Sequence, residues 1–284
     1  MSSQETQFHR EFTFTDHDFE AVREILYANA GISLNTGNRD LVYGRLARRL
    51  RACRFGGFSE YLRLLDSPGG EQEMVHFLNA LTTNLTGFFR EPHHFDYLAS
   101  NMLPEVADRP ADDRQYRIWS AGCSSGEEPY SIAMVARECL PCAGNVDVQI
   151  LATDLDSSVV ERARQGRYSS ERIAGLSRPR ASKWFRRING ADSCDVQVDT
   201  SLRSMIEFKQ LNLMHEWHFK DAFDVIFCRN VMIYFDKPTQ RKLFDRYADC
   251  LVEGGYLFVG RSESVCATSD RFELAEGRSI YRKR

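Results

Sequence analysis

With 284 residues, 43% of them hydrophobic, and a formal net charge of -3, the chain is long enough for two domains with real cores and is not basic enough for bulk nucleic-acid binding. It has no run of about 18 apolar residues that would span a membrane, and its opening MSSQETQFHREF lacks the apolar core of a signal peptide, so a cytoplasmic protein without membrane insertion is expected. Eight scattered cysteines with no secretion signal read as free thiols.

Thr15 and Asp16 are capping candidates for a first helix that carries Phe19, Val22, Ile25 and Leu26 at helical spacing, and Gly31 ends it. From Arg39 to Arg54 a second helix puts Val42, Tyr43, Leu46 and Leu50 on one side and Arg45, Arg48, Arg49 and Arg51 on the other. A basic face with no acidic partner one turn away is either solvated or a docking surface for an acidic partner, with Arg45, Arg48 and Arg49 as the docking candidates. Ser59 to Leu65 reads as a third helix, Ser67-Pro68-Gly69-Gly70 breaks it, and Glu71 to Leu81 closes a small all-helical domain over residues 1–81. Residues 82–94 read as a linker. Its adjacent His93 and His94 would point in different directions on a helix, which favours capping or surface roles over metal ligation.

The stretch Arg117 to Ser131, RIWSAGCSSGEEPYS, reads as a buried strand, a glycine-rich turn and a helix start in which acidic residues and Pro129 suit the first turn. A dinucleotide fingerprint would present bare amides as G-x-G-x-x-G, whereas here Gly122-x-x-x-Gly126 is followed by Glu127 and Glu128. Carboxylates at that mouth repel a pyrophosphate and suit a cationic or hydroxyl-rich ligand, such as the amino group or ribose of S-adenosylmethionine. An ordinary strand-to-helix turn is the alternative. Cys139-Leu140-Pro141-Cys142 has redox or zinc spacing but no second ligand pair, so it reads as a helix end and no metal is expected.

Val146 to Thr153 is a second strand, ending in Asp154-Leu155-Asp156. A carboxylate there is placed to accept both ribose hydroxyls, and capping the helix from Ser157 to Arg164 is the competing role for Asp154 or Asp156. Residues 166–205 break the alternation: Ala181 to Arg187 reads as helix, Gly190-Ala191-Asp192 as a turn, and Val196-Gln197-Val198 as an exposed strand edge, together a small antiparallel insertion. Strands then recur at Met205 to Leu211, Phe223 to Cys228 and Tyr256 to Val259, with a helix from Gln240 to Leu251 closed by Gly254-Gly255 and a last edge strand at Ser279 to Arg282. The expected fold class of residues 95–284 is therefore α/β, a doubly wound, mainly parallel sheet with ligands at the carboxyl ends of its strands.

TTNLTGFFRE (Thr82 to Glu91), SSGEEPYS (Ser124 to Ser131), the Asp154-Leu155-Asp156 strand end and FCRNVMIYFDK (Phe227 to Lys237) resemble the chemotaxis receptor methyltransferase family, commonly called CheR, over nearly the whole chain. The resemblance implies a methyltransferase domain that moves a methyl group from S-adenosylmethionine to receptor glutamates, leaving S-adenosylhomocysteine. It implies cofactor contacts at Asn84, Thr86, Arg90, Glu128, Asp154, Asn212, Leu213, Arg229 and Asn230. The turn departs from the wider methyltransferase pattern in lacking a full G-x-G-x-G and in placing Ser120 where an acidic residue is usual, as is expected in this family. A glutamate is already a carboxylate at neutral pH, so the reaction asks for orientation of the nucleophile rather than a general base. Arg90 and Tyr234 are the catalytic candidates for that task, with the domain joint or cofactor (Arg90) and simple packing (Tyr234) as alternatives. The implied partners are the cytoplasmic domain of methyl-accepting receptors and, for some family members, a receptor C-terminal peptide held by the insertion; a monomer is expected. A methyltransferase acting on RNA should show a broad basic surface, and the excess arginine here is confined to one helix. An idle cofactor-binding protein should have lost cofactor motifs, and none is missing.

Overall fold

A computed structural model describes residues 10–107, 115–140, 146–188 and 195–284. The chain forms two units, Met1–Thr82 and Thr83–Arg284. In the first, the Thr15 hydroxyl accepts from the Asp18 amide and the Asp18 carboxylate accepts from the Thr15 amide, a reciprocal cap that starts α1 (Asp16–Ala30). Gly31 ends it with φ 68°, the left-handed conformation that glycine adopts without strain. α2 (Arg39–Cys53), α3 (Phe58–Leu65) and α4 (Glu71–Leu81) follow, and Val22, Leu26, Val42, Leu46, Leu50, Tyr61 and Phe77 are buried among them.

The arginine face of α2 is not the partnerless surface expected from its sequence. Arg45 donates to the Leu81 and Thr82 carbonyls at 2.8 and 2.6 Å, satisfying groups at the C-terminal end of α4. Arg49 meets Glu73 at 2.6 Å, and Tyr61 donates to the same carboxylate at 2.9 Å. Burial alone would raise the Glu73 carboxyl, but the hydrogen bonds from Arg49 and Tyr61 hold it below its ordinary value. Arg51 pairs with Glu11, while Arg48 is exposed. These partners come from other elements, where a single-helix periodicity cannot find them.

The second unit starts with residues 83–91, which form neither helix nor strand, then α5 (Pro92–Tyr97), a π-helical turn (Leu98–Met102) and α6 (Leu103–Ala107). β1 (Gln115–Ala121), α7 (Glu127–Cys139), β2 (Asp147–Asp154) and α8 (Ser157–Gln165) make the first strand-helix-strand unit. The insertion holds β3 (Arg167–Ser169), α9 (Arg178–Trp184), β4 (Phe185–Arg187), β5 (Asp195–Val198) and α10 (Thr200–Arg203). β6 (Ile206–Gln210), β7 (Phe223–Cys228), α11 (Lys237–Cys250), β8 (Leu251–Val259), β9 (Phe272–Glu276) and β10 (Ile280–Lys283) complete it. The large sheet runs β6-β2-β1-β7-β8-β10-β9, with its first five strands parallel and β10 antiparallel to both neighbours. Alternation along each strand splits the core in two. Ile118, Ile150, Val225 and Phe227 pack with α7, whereas Trp119, Ile226, Cys228 and Leu257 pack with α11.

Several expected details change. The helix read over 181–187 stops at Trp184, because Phe185 and Arg187 pair with Val198 and Val196 as β4. β5 is the middle strand of the small sheet β3-β5-β4, so Val196-Gln197-Val198 is no exposed edge: both its sides are taken and both valines are buried. α11 starts at Lys237 rather than Gln240, because Asp236 caps it, accepting from the Thr239 amide. Leu251 is already extended, so Gly254 and Gly255 lie inside β8 rather than closing the helix. The strand at 280–283 sits between β8 and β9 rather than at the edge, and β9 was not anticipated. The Gly190-Ala191-Asp192 turn and Cys142 lie outside the described residues.

Candidate functional site

Because β1, β2, β6 and β7 are parallel, their carboxyl ends lie on one side of the sheet, and the chain turns there four times. After β1, the Gly122 and Cys123 amides donate to the Thr153 carbonyl at 2.8 and 2.9 Å, and the Ser124 amide donates to Asp154 Oδ2 at 2.8 Å. Gly122 and Gly126 have φ 93° and 95°, and a Cβ at either would stand 2.4 Å from Val231 or 2.8 Å from Ala163, so both positions demand glycine. Gly122-x-x-x-Gly126 thus shapes a turn packed against its neighbours.

The carboxylates divide their roles. Asp156 caps α8, accepting from the Ser158 amide, and its other oxygen accepts from Asn84 Nδ2 at 2.8 Å. Asp154, 9% exposed, accepts from the amides of Ser124 and, at 3.0 Å, Asp156, one on each oxygen. Burial pushes its carboxyl up to about 6; the two backbone N–H groups oppose the rise and the Asp156 charge adds to it. Glu128 accepts from Ser120 Oγ at 2.7 Å and from Arg229 Nη1 at 2.9 Å, so Ser120, in the place of the usual acid, serves Glu128. Glu127 is fully buried and accepts from Ser125 Oγ at 2.7 Å, while its other oxygen lies 3.5 Å from Arg172.

The loop 83–91 is tied to these strand ends. The Ser124 hydroxyl donates to the Asn84 carbonyl at 3.0 Å, Arg172 to the Thr86 carbonyl at 3.1 Å, and the Tyr234 hydroxyl to the Thr83 carbonyl at 3.4 Å. Arg90 has an exposed side chain that donates back to the Leu85 carbonyl at 2.8 Å. The Leu211 amide donates to the Asp154 carbonyl at 2.9 Å, which sets Asn212 and Leu213 beside the β2 end. Asn230 is left-handed, φ 58°, and its amide donates to Glu263. Asn84, Thr86, Arg90, Glu128, Asp154, Asn212, Leu213, Arg229, Asn230 and Tyr234 therefore gather at one end of the sheet, whereas Arg45, Arg48 and Arg49 belong to the helical unit.

His93 and His94 do not diverge as expected: both rings meet the Ser279 hydroxyl, at 3.1 and 2.8 Å. Burial, then the nearby Arg229 charge, push His94 down to about 2, so it is a neutral packed ring. Sequence reasoning missed Glu91, Arg172 and Glu263. The buried Glu263 carboxylate accepts from the amides of Gly260, Asn230 and Ile233 at 2.5, 3.0 and 3.3 Å and shapes the turn after β7. Each is a charged residue in a loop, with no periodicity to mark it.

Chemically, the cluster is a set of buried carboxylates (Glu127, Glu128, Asp154, Asp156) whose one deeply buried cation among the described residues, Arg229, is already paired. Such a set suits a ligand that brings positive charge and hydroxyl donors. Among the described residues no cluster of His, Cys, Asp and Glu could hold a metal ion, and no helix is long and apolar enough to cross a membrane.

Two family models match the chain: "CheR methyltransferase, all-alpha domain" over residues 17–82 and "CheR methyltransferase, SAM binding domain" over 84–281. A probable chemotaxis protein methyltransferase of Rhizobium etli is 44% identical over 258 residues, covering 91% of this chain and 96% of its own. Chemotaxis protein methyltransferase 2 of Pseudomonas aeruginosa is 45% identical over 276 residues, covering 96% and 95%. The chemotaxis protein methyltransferase of Escherichia coli is 40% identical, covering 97% and 93%.

Proposed function

The chain belongs to the CheR family of S-adenosylmethionine-dependent methyltransferases, and from that premise we propose that it methylates glutamate side chains of chemotaxis receptors in the cytoplasm, giving glutamyl methyl esters. The observation that carries this reading is the pairing of a buried acidic cluster with the exposed Arg90 and the Tyr234 hydroxyl, both joined to the loop beside it.

Bound S-adenosylmethionine supplies an electrophilic methyl group on a sulfonium. Asp154 would accept the ribose hydroxyls, because its burial strengthens each bond to the ionised carboxylate and its two backbone donors fix its direction. Glu128 would face the amino group, and Asn84, Thr86, Asn212, Leu213 and Asn230 would line the remainder. The receptor glutamate arrives ionised, with an ordinary pKa of about 4.3, so no general base is required. Arg90 and Tyr234 would instead hold one carboxylate oxygen so that the other points at the methyl carbon. The exposed Arg48 would contribute to docking on an acidic receptor face. A receptor tail, where present, would add a strand at β4, one of the two outer strands of the small sheet, whose Arg186 and Arg187 are exposed.

Incubation with methyl-labelled cofactor and receptor-containing membranes tests the function. Base-labile label on the receptor supports it; base-stable label, or label on RNA, overturns it.

A further inference from the structure

Three consecutive residues, Phe89-Arg90-Glu91, have an uncommon backbone: Phe89 and Glu91 are left-handed non-glycine residues, with φ 52° and 58°. Such a turn persists only where the surroundings over-determine it. Here the Phe89 amide donates to Ser131 Oγ at 3.0 Å on α7, and the Arg261 amide donates to Glu91 Oε1 at 3.3 Å. The centre of the restraint is Arg229. Its Nη2 donates to the Arg90 carbonyl and, at 3.2 Å, to Glu91 Oε2, while its Nη1 donates to Glu128 at 2.9 Å. Its side chain is 2% exposed, with the Phe95 ring 5.6 Å from the guanidinium carbon. Both terminal nitrogens of the guanidinium are thus engaged by the protein while its Nε is buried without a partner, and the side chain left in the open is that of Arg90.

We propose that Arg229 and Glu91 are positioning residues: their buried ion pair braces the strained turn that presents Arg90. This rests on the reading that Arg90 orients the substrate carboxylate. A planar, forked donor can hold a carbonyl and two carboxylates at once, which a lysine ammonium at the same place cannot do with the same directions. The brace also joins three segments distant in sequence, namely the loop before α5, the start of α7 and the end of β7, so the strand end and the arginine are set by one group.

The test uses Glu91→Gln and Arg229→Lys in the full chain, with Glu91→Gln as the milder change should the other fail to fold. Titration with S-adenosylmethionine should give dissociation constants within about threefold of the parent, while kcat at saturating cofactor falls about tenfold or more. Trypsin should cut the Arg90–Glu91 bond faster in the Arg229→Lys variant at temperatures well below its Tm. In an Arg90→Ala background, Glu91→Gln should cause no further loss of kcat, because the brace acts through Arg90, whereas a merely structural role would multiply the two losses. Weakened cofactor binding with kcat intact, multiplied losses, or unchanged cleavage would each overturn the proposal. The parent chain failing to label receptor would instead sink the functional reading, leaving titration and proteolysis to report on the brace.

Discussion

Replacing Asp154 with Asn is the sharpest probe of the cofactor site, because it keeps the shape and removes the charge. The carboxylate holds the Ser124 amide on one oxygen and the Asp156 amide on the other. An Asn side chain must turn its NH2 toward one of these donors, leaving one buried N–H unpaired at a cost of about 1–3 kcal/mol in stability. The proposed ribose bonds lose their charge assistance, worth about 1.5–3 kcal/mol, so the dissociation constant of S-adenosylmethionine should rise roughly 10- to 150-fold. Calorimetric titration at about pH 8 is the assay, since a carboxyl at about 6 is then ionised. Lowering the pH adds a second arm. Binding selects the carboxylate, so the parent's dissociation constant should climb as pH falls through about 6, while the Asn variant stays flat and the gap closes. Stability runs the other way for this group: the folded state holds the proton more tightly than the unfolded chain, whose value is about 3.9, so its contribution falls as pH rises from there to about 6. Equal affinities at about pH 8, or parallel pH profiles, would refute the ribose assignment.

Tyr234→Phe should leave cofactor affinity unchanged and lower kcat, since its hydroxyl meets the Thr83 carbonyl at a long 3.4 Å and is assigned to the substrate; equal losses in binding and rate would remove that role. Glu263→Ala should lower the unfolding free energy by about 3 kcal/mol or more in denaturant titration, because three backbone donors lose a buried acceptor; an unchanged midpoint would show that water replaces it. Arg48→Glu should raise the KM for receptor at low salt with no change in Tm, whereas Arg49→Glu should lower Tm by setting two carboxylates against each other at Glu73. Identical behaviour of the two variants would mean that the α2 face acts as one surface.

Local signals were legible where a local rule decides the outcome. Thr15 and Gly31 bound a helix because a side-chain oxygen and a left-handed residue are needed at its ends, and both glycines of the β1 turn are required by φ and by contact with Val231 and Ala163. Strand ends could be placed on the site because parallel strands share a carboxyl side. What could not be read was pairing across the chain. Val196-Gln197-Val198 alternates as an edge strand does, yet two short partners cover it. Phe185 to Arg187 continues a helical pattern until Val196 and Val198 claim it. Arg45 and Arg49 of α2 looked unpaired only because their carbonyls and acid lie on other elements. Glu91 and Arg229 illustrate the same limit within the site, since each was visible as a charge but their union was not.

The strand laid down last among those described does not close the large sheet from outside: β10 slides between β8 and β9 and is the sole sheet neighbour of β9. During synthesis, β1, β2, β6, β7 and β8 can assemble their parallel ladder, and with it the turns around Asp154 and Arg229, while β9 has already emerged with nothing to pair to. The growing chain therefore carries an exposed β8 flank and an orphan strand until residues 280–283 arrive to seal both at once. Completing this sheet is an insertion rather than an extension, and β9 and β10 should gain and lose amide-exchange protection together, as one cooperative unit at the far side from β6.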